Sequence, residues 1–201
     1  MITVALPKGR LLKEVIAYLE SCDLKKYADK LDPKSRLLFT DVDGIRFVYA
    51  KGRDVPTYVE SGIADLGFIG SDIITENKFE LLNVSQLPFG YCRFSLCGLP
   101  GVKQFKSVAT SFYNISFQYF KKKKQQVSFI HLHGSVELAP LLGLADGIVD
   151  IVQTGSTLKA NGLIEYETIM DVQACLIANR QTFYTKEAEV YPFLKKLGVF
   201  E

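Results

Sequence analysis

Short apolar runs alternate with segments of helical periodicity along most of the chain, and this alternation limits the folds available to it. Residues 2–6 form an apolar run, after which Leu11, Val15 and Leu19 recur at the spacing of one helix face. Strand and helix alternating in this way predict parallel sheets with helices on both faces. The sequence therefore predicts an α/β protein.

The same patterns predict the position of individual elements. Strands are predicted at 36–40, 45–50, 66–69, 107–109, 127–132, 148–152 and 163–169, and helices at 55–61, 114–122, 137–142 and up to about 161. Asp54 is expected to cap the helix at 55–61, with Pro56 in its first turn and Gly62 at its end.

A break at Pro88-Phe89-Gly90 separates two such alternations, so a second unit is predicted to begin near residue 89. The apolar segment 174–178 and the helical pattern that follows it are too short for a third domain and are expected to complete the first. We therefore expect domain I at 1–88 and 173–201 and domain II at 89–172. The chain would cross between them twice, beside a cleft of the kind in which such folds bind ligands.

Composition excludes several classes of protein. The 201 residues are 48% hydrophobic with a net charge of +2, which gives no general electrostatic reason to expect nucleic acid or an acidic membrane as a partner. The start lacks a signal-peptide pattern and no run of about 18 apolar residues follows, so the cytoplasm is expected. Four scattered cysteines without a Cys-x-x-Cys pair indicate reduced thiols, which we interpret as small buried apolar residues.

The segment most informative about chemistry runs from Ile148 to Leu158, where a buried strand leads into Thr154-Gly155-Ser156-Thr157 and a helix. Glycine allows close backbone approach, helix-start N–H groups point outward, and the hydroxyls can donate to a phosphate. A helix start capped by Thr or Ser has the same local pattern, so both interpretations stay open at this point. Neither a Walker A loop nor Gly-x-Gly-x-x-Gly occurs, which removes the main support for P-loop ATPases and dinucleotide-dependent dehydrogenases.

Four blocks resemble the ATP phosphoribosyltransferase family in the family's own order, and together they span nearly the whole chain. The segment 150–158, with Ala160-Asn161-Gly162-Leu163 after it, is similar to that family's phosphoribosyl pyrophosphate loop. The other blocks are Ala5-Leu6-Pro7-Lys8-Gly9-Arg10-Leu11, the segment 54–72, and Gly134-Ser135-Val136-Glu137-Leu138-Ala139-Pro140-Leu141 with residues 143–146.

The resemblance implies a fold like that of type II periplasmic binding proteins. It also implies a reaction in which adenine N1 of ATP attacks the anomeric carbon of phosphoribosyl pyrophosphate, at the start of histidine biosynthesis. Mg²⁺ would be carried by the substrate phosphates, and no side-chain nucleophile or protein metal site is required. Because long-form members continue into a regulatory domain beyond the position of Glu201, the short form is expected, with catalytic dimers assembled with a histidyl-tRNA-synthetase-like regulatory subunit.

Matching of motif positions implies a role for individual residues. Those implied to bind phosphoribosyl pyrophosphate are Glu137, Asp150, Thr154, Gly155, Ser156 and Thr157. Those implied to act on the pyrophosphate or ATP phosphates during catalysis are Lys8, Arg10 and Arg36. Those implied to line the ATP pocket are Lys51, Gly70 and Asp72.

Structural alternatives exist for several of these positions. Arg36, Lys51 and Arg53 are also compatible with solvated charges, Asp72 with a helix cap, and Glu137 with a first-turn carboxylate. The pair His131 and His133 lacks a third metal ligand, and Lys121–Lys124 suits the end of a helix better than an RNA-binding patch. The rival functions are a non-enzymatic solute-binding or effector-binding module of the same fold and an inactive regulatory paralogue.

Overall fold

The computed structural model describes residues 1–200. The strands are β1 (Ile2–Pro7), β2 (Phe39–Val42), β3 (Ile45–Ala50), β4 (Leu66–Gly70), β5 (Leu81–Gln86), β6 (Cys92–Gly98), β7 (Ser107–Thr110), β8 (Ser128–His131), β9 (Gly147–Val152), β10 (Ile164–Val172) and β11 (Ala174–Asn179). The helices are α1 (Arg10–Ser21), α2 (Lys25–Ala28), α3 (Val55–Glu60), α4 (Ser71–Glu76), α5 (Tyr113–Lys122), α6 (Leu138–Leu141), α7 (Ser156–Ala160), α8 (Arg180–Thr185) and α9 (Glu187–Lys196). A 3₁₀ turn, Gly52–Asp54, precedes α3.

These elements form two compact units. The first contains Met1–Ile74, Lys78–Gly90 and the part of the chain from Gln173 onward. The second contains Thr75–Asn77 and Tyr91–Val172. Within residues 1–200, no helix combines the length and apolarity needed to cross a membrane.

The first unit is built on a six-stranded sheet in the order β2-β3-β1-β4-β11-β5. Strand β1 lies between β3 and β4 and is parallel to both, so the carboxyl ends of all three strands meet at one edge. One face of the sheet packs on α1 and α9 through residues such as Val4, Leu12 and Phe193. The other face packs on α3 through Ala5 and Val59, so helices cover both sides of the sheet.

The second unit is built on a five-stranded sheet in the order β10-β6-β9-β7-β8. Strand β7 is parallel to β8 and β9, whereas β6 is antiparallel to β9 and β10. Ile148 of β9 and Leu158 of α7 pack on one face, while Val149 packs with Phe120 of α5 on the other. The residues of β9 thus alternate between the two faces.

Both sheets are mixed, which corrects the prediction of parallel sheets. Strands β2 and β3 form an antiparallel hairpin because Asp43 and Gly44 both adopt positive φ, as a tight two-residue turn requires. Strand β11 is antiparallel to β4 and β5. Periodicity within a segment identifies a strand but carries no information about the direction of its neighbour.

Other details also differ from the predictions. The strand predicted at 36–40 is shifted to Phe39–Val42, which leaves Arg36 in the preceding loop. Asp54 lies at the N-cap of α3 but makes no capping hydrogen bond through its side chain. Helices α2, α4 and α8 were not predicted, since each has at most six residues and shows little periodicity. The four cysteines are free thiols, but only Cys97 and Cys175 are buried, and the other two are half-buried.

Asp65, just before β4, ties the two ends of the chain to the first sheet. Its carboxylate accepts hydrogen bonds from the Thr3 N–H at 2.7 Å and from the Lys186 ammonium at 2.9 Å. Its own N–H donates to the Thr3 carbonyl, and its carbonyl accepts from the Asn179 N–H. The residue is only 2% exposed, so the carboxylate depends on these donors in place of water.

We predict that Asp65→Ala lowers the free energy of unfolding by about 3 kcal/mol, because it leaves the Thr3 N–H and the Lys186 charge without their partner. Urea unfolding followed by circular dichroism measures this loss. The control is Asp43→Asn, which removes the charge from the exposed Lys26–Asp43 ion pair but keeps a residue that tolerates the positive φ of this turn, and it is expected to leave stability nearly unchanged. Equal losses in the two variants would contradict the role assigned to Asp65.

Candidate functional site

The carboxyl-terminal edge of the first sheet gathers the segments that follow β1, β3 and β4. The last residues of β1 and β3, Pro7 and Ala50, are paired, and the Lys8 N–H donates to the Ala50 carbonyl at 2.7 Å. Gly9 then begins α1 with φ +96°, a conformation that residues with a side chain rarely adopt. Lys8 and Lys51 are therefore held on adjacent loops of the same edge, and both side chains are exposed.

Arg10 occupies the first turn of α1 and is held by Glu14. The Arg10 guanidinium donates to one carboxylate oxygen of Glu14 at 2.6 Å, and the other oxygen accepts from the Gly90 N–H at 2.7 Å. The Arg10 side chain nevertheless remains 44% exposed. Its positive charge is thus oriented at this edge and accessible to a ligand.

Asp72, in the first turn of α4, is the buried carboxyl group of this edge. Burial raises its pKa, while hydrogen bonds from the N–H groups of Asp72 and Ile73 and the positive charges of Arg53 and Arg10 oppose the rise. A Cβ on Gly70 would lie 2.0 Å from an Asp72 carboxylate oxygen, so a larger residue here would displace that carboxylate from its present position.

Arg36 lies in the loop before β2, near the end of β3. The Leu38 carbonyl accepts a hydrogen bond from the Tyr49 N–H at 2.9 Å, which extends the β2–β3 pairing toward that loop. Arg36 is exposed, and so is Arg53. The charge of Arg53 favours the ionised form of Asp72 and so opposes the rise in its pKa. The sequence alone had indicated only a solvated charge at Arg53. The segments that carry the basic candidates of the first unit thus meet at one edge of the sheet, where the charges of Arg53 and Arg10 act on the buried Asp72 carboxyl.

The loop from Gln153 to Gly155 follows β9 in the second unit. Gly155 adopts a left-handed conformation, φ +72° and ψ 9°, at the N-cap of α7, and Leu158 anchors the helix in the core. The Thr154 and Ser156 hydroxyl oxygens are 3.0 Å apart, and Thr154 Oγ1 also accepts a long hydrogen bond of 3.4 Å from the Ser156 N–H. The N-cap residue is Gly155, so this helix start is not one capped by a Ser or Thr side chain. The side chains of Thr154, Ser156 and Thr157 are exposed.

Asp150 and Glu137 lie on the same side of the second sheet as this loop. Asp150 is half-buried on β9 and shares the face of Ile148 and Val152, and Glu137 is half-buried at the N-cap of α6 without capping it. The pKa of the Cys97 thiol is raised to about 12, mainly by burial and in addition by the negative charges of Glu165, Asp150 and Glu137. Their common influence on Cys97 places the carboxylates in one region of the second unit.

An ion pair that sequence analysis missed lies at the base of the loop. Arg93 on β6 donates to both carboxylate oxygens of Glu165 on β10, each at 2.7 Å, and also to the Gln153 carbonyl at 3.3 Å. Glu165 also accepts from the Ser95 hydroxyl at 2.7 Å and from the Thr168 hydroxyl at 3.2 Å. Arg93 is the one charged residue of β6, whereas β10 contains three carboxylates, and nothing local in the sequence identifies Glu165 as the partner of Arg93.

The ion pair shifts the pKa values of both its members. The hydrogen bonds from the Arg93 guanidinium, which outweigh partial burial, and the further bond from Ser95 lower the pKa of the Glu165 carboxyl to about 2. The same pair raises the pKa of Arg93. Glu165 therefore carries its negative charge throughout the neutral pH range.

The two histidines do not form part of a larger cluster. Their rings lie 4.8 Å apart at the end of β8. Across residues 1–200, no group of three or more His, Cys, Asp and Glu side chains is arranged to hold a metal ion.

Comparisons with known proteins agree on one family. A family model described as ATP phosphoribosyltransferase matches residues 51–198. Proteins named ATP phosphoribosyltransferase from Staphylococcus saprophyticus and Staphylococcus carnosus are 45% and 46% identical to this chain; the matches cover 99% of this chain and 97% and 98% of theirs.

Solved structures agree with the fold. A chain of the ATP phosphoribosyl transferase (HisG:HisZ) complex from Thermotoga maritima superposes with a TM-score of 0.82 at 34% identity, covering 98% of this chain and 97% of that one. The alkanesulfonate-binding protein SsuA from Xanthomonas axonopodis pv. citri, bound to MOPS, superposes with a TM-score of 0.61 at 12% identity, covering 98% and 71%. The second likeness concerns the fold alone, and the predicted type II periplasmic-binding-protein-like α/β fold is confirmed.

We predict that the stabilising effect of Glu165 depends on pH in a defined direction. Because its pKa is lowered in the folded protein, its contribution is complete above about pH 4.5 and disappears as the pH falls toward 2. The difference in free energy of unfolding between wild type and Glu165→Gln should therefore be largest at about pH 5–7 and should become smaller as the pH falls below that range.

Urea unfolding at several pH values measures this difference. Glu20→Gln, which alters an exposed carboxylate on α1, serves as control and should stay close to wild type at every pH. A Glu165→Gln difference that is constant from neutral pH down to the acid limit would disprove the assigned ion pair.

Proposed function

Because this chain belongs to the ATP phosphoribosyltransferase family, we propose that it joins ATP to 5-phosphoribosyl 1-pyrophosphate. The products are 1-(5-phosphoribosyl)-ATP and pyrophosphate, in the first step of histidine biosynthesis. The observation that carries this proposal is the loop of exposed hydroxyls at Thr154–Thr157, which follows a buried strand in a chain matched to these enzymes over almost its whole length. The solute-binding alternative rests only on a likeness of fold at 12% identity.

The loop of the second unit would hold the 5-phosphate of phosphoribosyl pyrophosphate. Thr154, Ser156 and Thr157 offer hydroxyl donors, and the left-handed Gly155 lets the backbone N–H groups approach the phosphate oxygens. Asp150 and Glu137 would accept hydrogen bonds from the ribose hydroxyls, since a carboxylate is an acceptor that matches a hydroxyl donor.

The basic edge of the first unit would bind the polyphosphates. Lys8, Arg10 and Arg36 are proposed to neutralise the pyrophosphate that departs and the ATP phosphates. Lys51, Gly70 and Asp72 are proposed to line the ATP pocket, with Gly70 leaving space for the buried Asp72 carboxylate.

The chemical step consists of one bond formed and one broken at the same carbon. The lone pair of adenine N1 attacks the anomeric carbon of phosphoribosyl pyrophosphate, and the bond to the pyrophosphate oxygen breaks with inversion. Neither event needs a side-chain nucleophile, so the protein acts by aligning two polyanions and by compensating the charge that develops on the leaving group.

Mg²⁺ fits the proposal as an ion carried by the substrates. The residues described provide no cage of three or more ligating side chains, whereas Mg²⁺ is commonly held by substrate phosphates with one or two carboxylates. When bound, it would supply positive charge to the leaving pyrophosphate. The pyrophosphate itself would be oriented by Lys8, Arg10 and Arg36.

Assembly with a second type of subunit is part of the proposal. The Thermotoga maritima neighbour was solved as a HisG:HisZ complex, and this chain covers 97% of the matched chain in it. We propose that this chain is the short form of the enzyme and works in the cytoplasm as a catalytic dimer with a histidyl-tRNA-synthetase-like regulatory subunit.

The first test of the proposal is product formation. We predict that the purified chain with its regulatory subunit makes phosphoribosyl-ATP from ATP, phosphoribosyl pyrophosphate and Mg²⁺, as detected by ultraviolet absorbance and mass spectrometry. Omitting either substrate should abolish the product. Absence of product with the regulatory subunit confirmed bound would refute the enzymatic function.

The second test addresses the loop. We predict that replacing Thr154 and Thr157 by alanine weakens phosphoribosyl pyrophosphate binding by about tenfold or more with little effect on ATP, because two donors to the phosphate are lost. Isothermal titration calorimetry with each substrate measures this. Thr185→Ala, in the exposed last residue of α8, is the matched control and should change neither affinity. Equal weakening toward both substrates would count against the role of the loop.

A further inference from the structure

Arg93 lies at the base of the loop formed by residues 153–157, which we call the phosphate loop. It is not among the residues proposed to contact a substrate. We propose that Arg93 is a positioning residue for this loop: it fixes the peptide between Gln153 and Thr154 and thereby sets the affinity for phosphoribosyl pyrophosphate. This inference rests on the proposed function, because it concerns the loop that holds the 5-phosphate.

The Arg93 guanidinium is shared between an anchor and the loop. Nε and Nη2 each donate to an oxygen of Glu165 at 2.7 Å, which fixes the plane of the group. The remaining nitrogen, Nη1, donates to the Gln153 carbonyl oxygen at 3.3 Å. A lysine could not make all three contacts, since its ammonium is a point charge without the planar fork.

The anchor is itself fixed by the sheet. Glu165 accepts from the hydroxyl of Ser95, which is fully buried on β6, and Arg93 lies on that same strand. Arg93 is paired with Val152, the residue directly before Gln153. Strands β6, β9 and β10 therefore jointly determine where the guanidinium lies relative to the start of the loop.

Holding one carbonyl determines the direction of the next N–H. In a trans peptide the C=O and N–H bonds point to opposite sides, and none of the peptide bonds described within residues 1–200 is cis. With the Gln153 carbonyl turned toward Arg93, the Thr154 N–H is directed away from it. The orientation of this peptide plane also positions Thr154, whose hydroxyl oxygen lies 3.0 Å from the hydroxyl oxygen of Ser156.

The consequence is a loop that is oriented before the substrate arrives. Gln153 and Thr154 are exposed, and Gly155 adds a residue of high conformational freedom, so the loop has few packing contacts of its own. Preorganised donors bind an anion more tightly than donors that must first be ordered. Arg93 would supply this order from the neighbouring strand β6.

The chain offers a matched control for this ion pair. Arg46 on β3 makes a bidentate pair with Asp41 on β2, with both hydrogen bonds again at 2.7 Å. Its side chain is 37% exposed, close to the 34% of Arg93. Both members of this pair belong to the β2–β3 hairpin, and the Arg46 guanidinium also lies 4.7 Å from the centre of the Phe39 ring. Removing Arg46 therefore tests the loss of a bidentate surface ion pair outside the phosphate loop.

The experiment compares substrate affinities in the full chain with its regulatory subunit and Mg²⁺. We predict that Arg93→Met, which keeps most of the aliphatic stem, raises the Kd and KM for phosphoribosyl pyrophosphate by about tenfold or more, while those for ATP change by less than about twofold. Arg93→Lys should restore part of the affinity, and Arg46→Met should leave both affinities at the wild-type level.

A second variant covers the case in which Arg93→Met does not fold by circular dichroism. Glu165→Gln keeps Arg93 but weakens its anchor, and we expect it to raise the Kd for phosphoribosyl pyrophosphate by about threefold or more, again with little effect on ATP. An unchanged Kd in this variant would overturn the inference in that case.

Failure of the inference can be told apart from failure of the proposed function. If the wild-type protein makes product but Arg93→Met keeps its affinity for phosphoribosyl pyrophosphate, or loses affinity for both substrates equally, the positioning role is wrong and the function stands. The role is also wrong if Arg46→Met has the same selective effect. If the wild-type protein makes no product, the proposed function fails, while the binding comparison still decides the role of Arg93.

Discussion

The parallel pairing of β1 with both β3 and β4 is the constraint on which the site of the first unit depends. Parallel strands end at the same edge of a sheet, so the loops after these three strands must come together however far apart they are in sequence. This pairing brings the loops that carry Lys8 and Lys51 together and sets them at the same edge as Asp72, which follows β4. The site is thus a consequence of strand direction before it is a consequence of any individual side chain.

The two units contribute different chemistry. The first presents exposed cations around a carboxyl whose pKa is raised by burial, which suits the binding of polyphosphates. The second presents exposed hydroxyls, a left-handed glycine and half-buried carboxylates, which suits a phosphorylated sugar. This division is consistent with the proposed reaction, in which the protein orients two charged substrates that react with each other.

Local features of the site were accessible from sequence, whereas features that depend on register were not. The turn at Thr154–Thr157 could be identified because a buried strand, a glycine and three hydroxyls lie within one short segment. The Arg93–Glu165 pair joins residues 72 positions apart, and only the order and register of β6, β9 and β10 bring them to Gln153. Similarly, no pattern around Asp72 reveals its burial, and the antiparallel direction of β11 depends on its neighbours rather than on its own residues.

The position of β11 has a consequence for how the protein is made. This strand lies between β4 and β5 in the first sheet, yet it is synthesised after every residue of the second unit. During translation β4 and β5 therefore lack their shared neighbour until β11 has been made. By then residues 91–172 have emerged as one continuous segment that contains all the strands of the second sheet. The second unit can fold on the ribosome first, and the unit that begins the chain is the last to be completed.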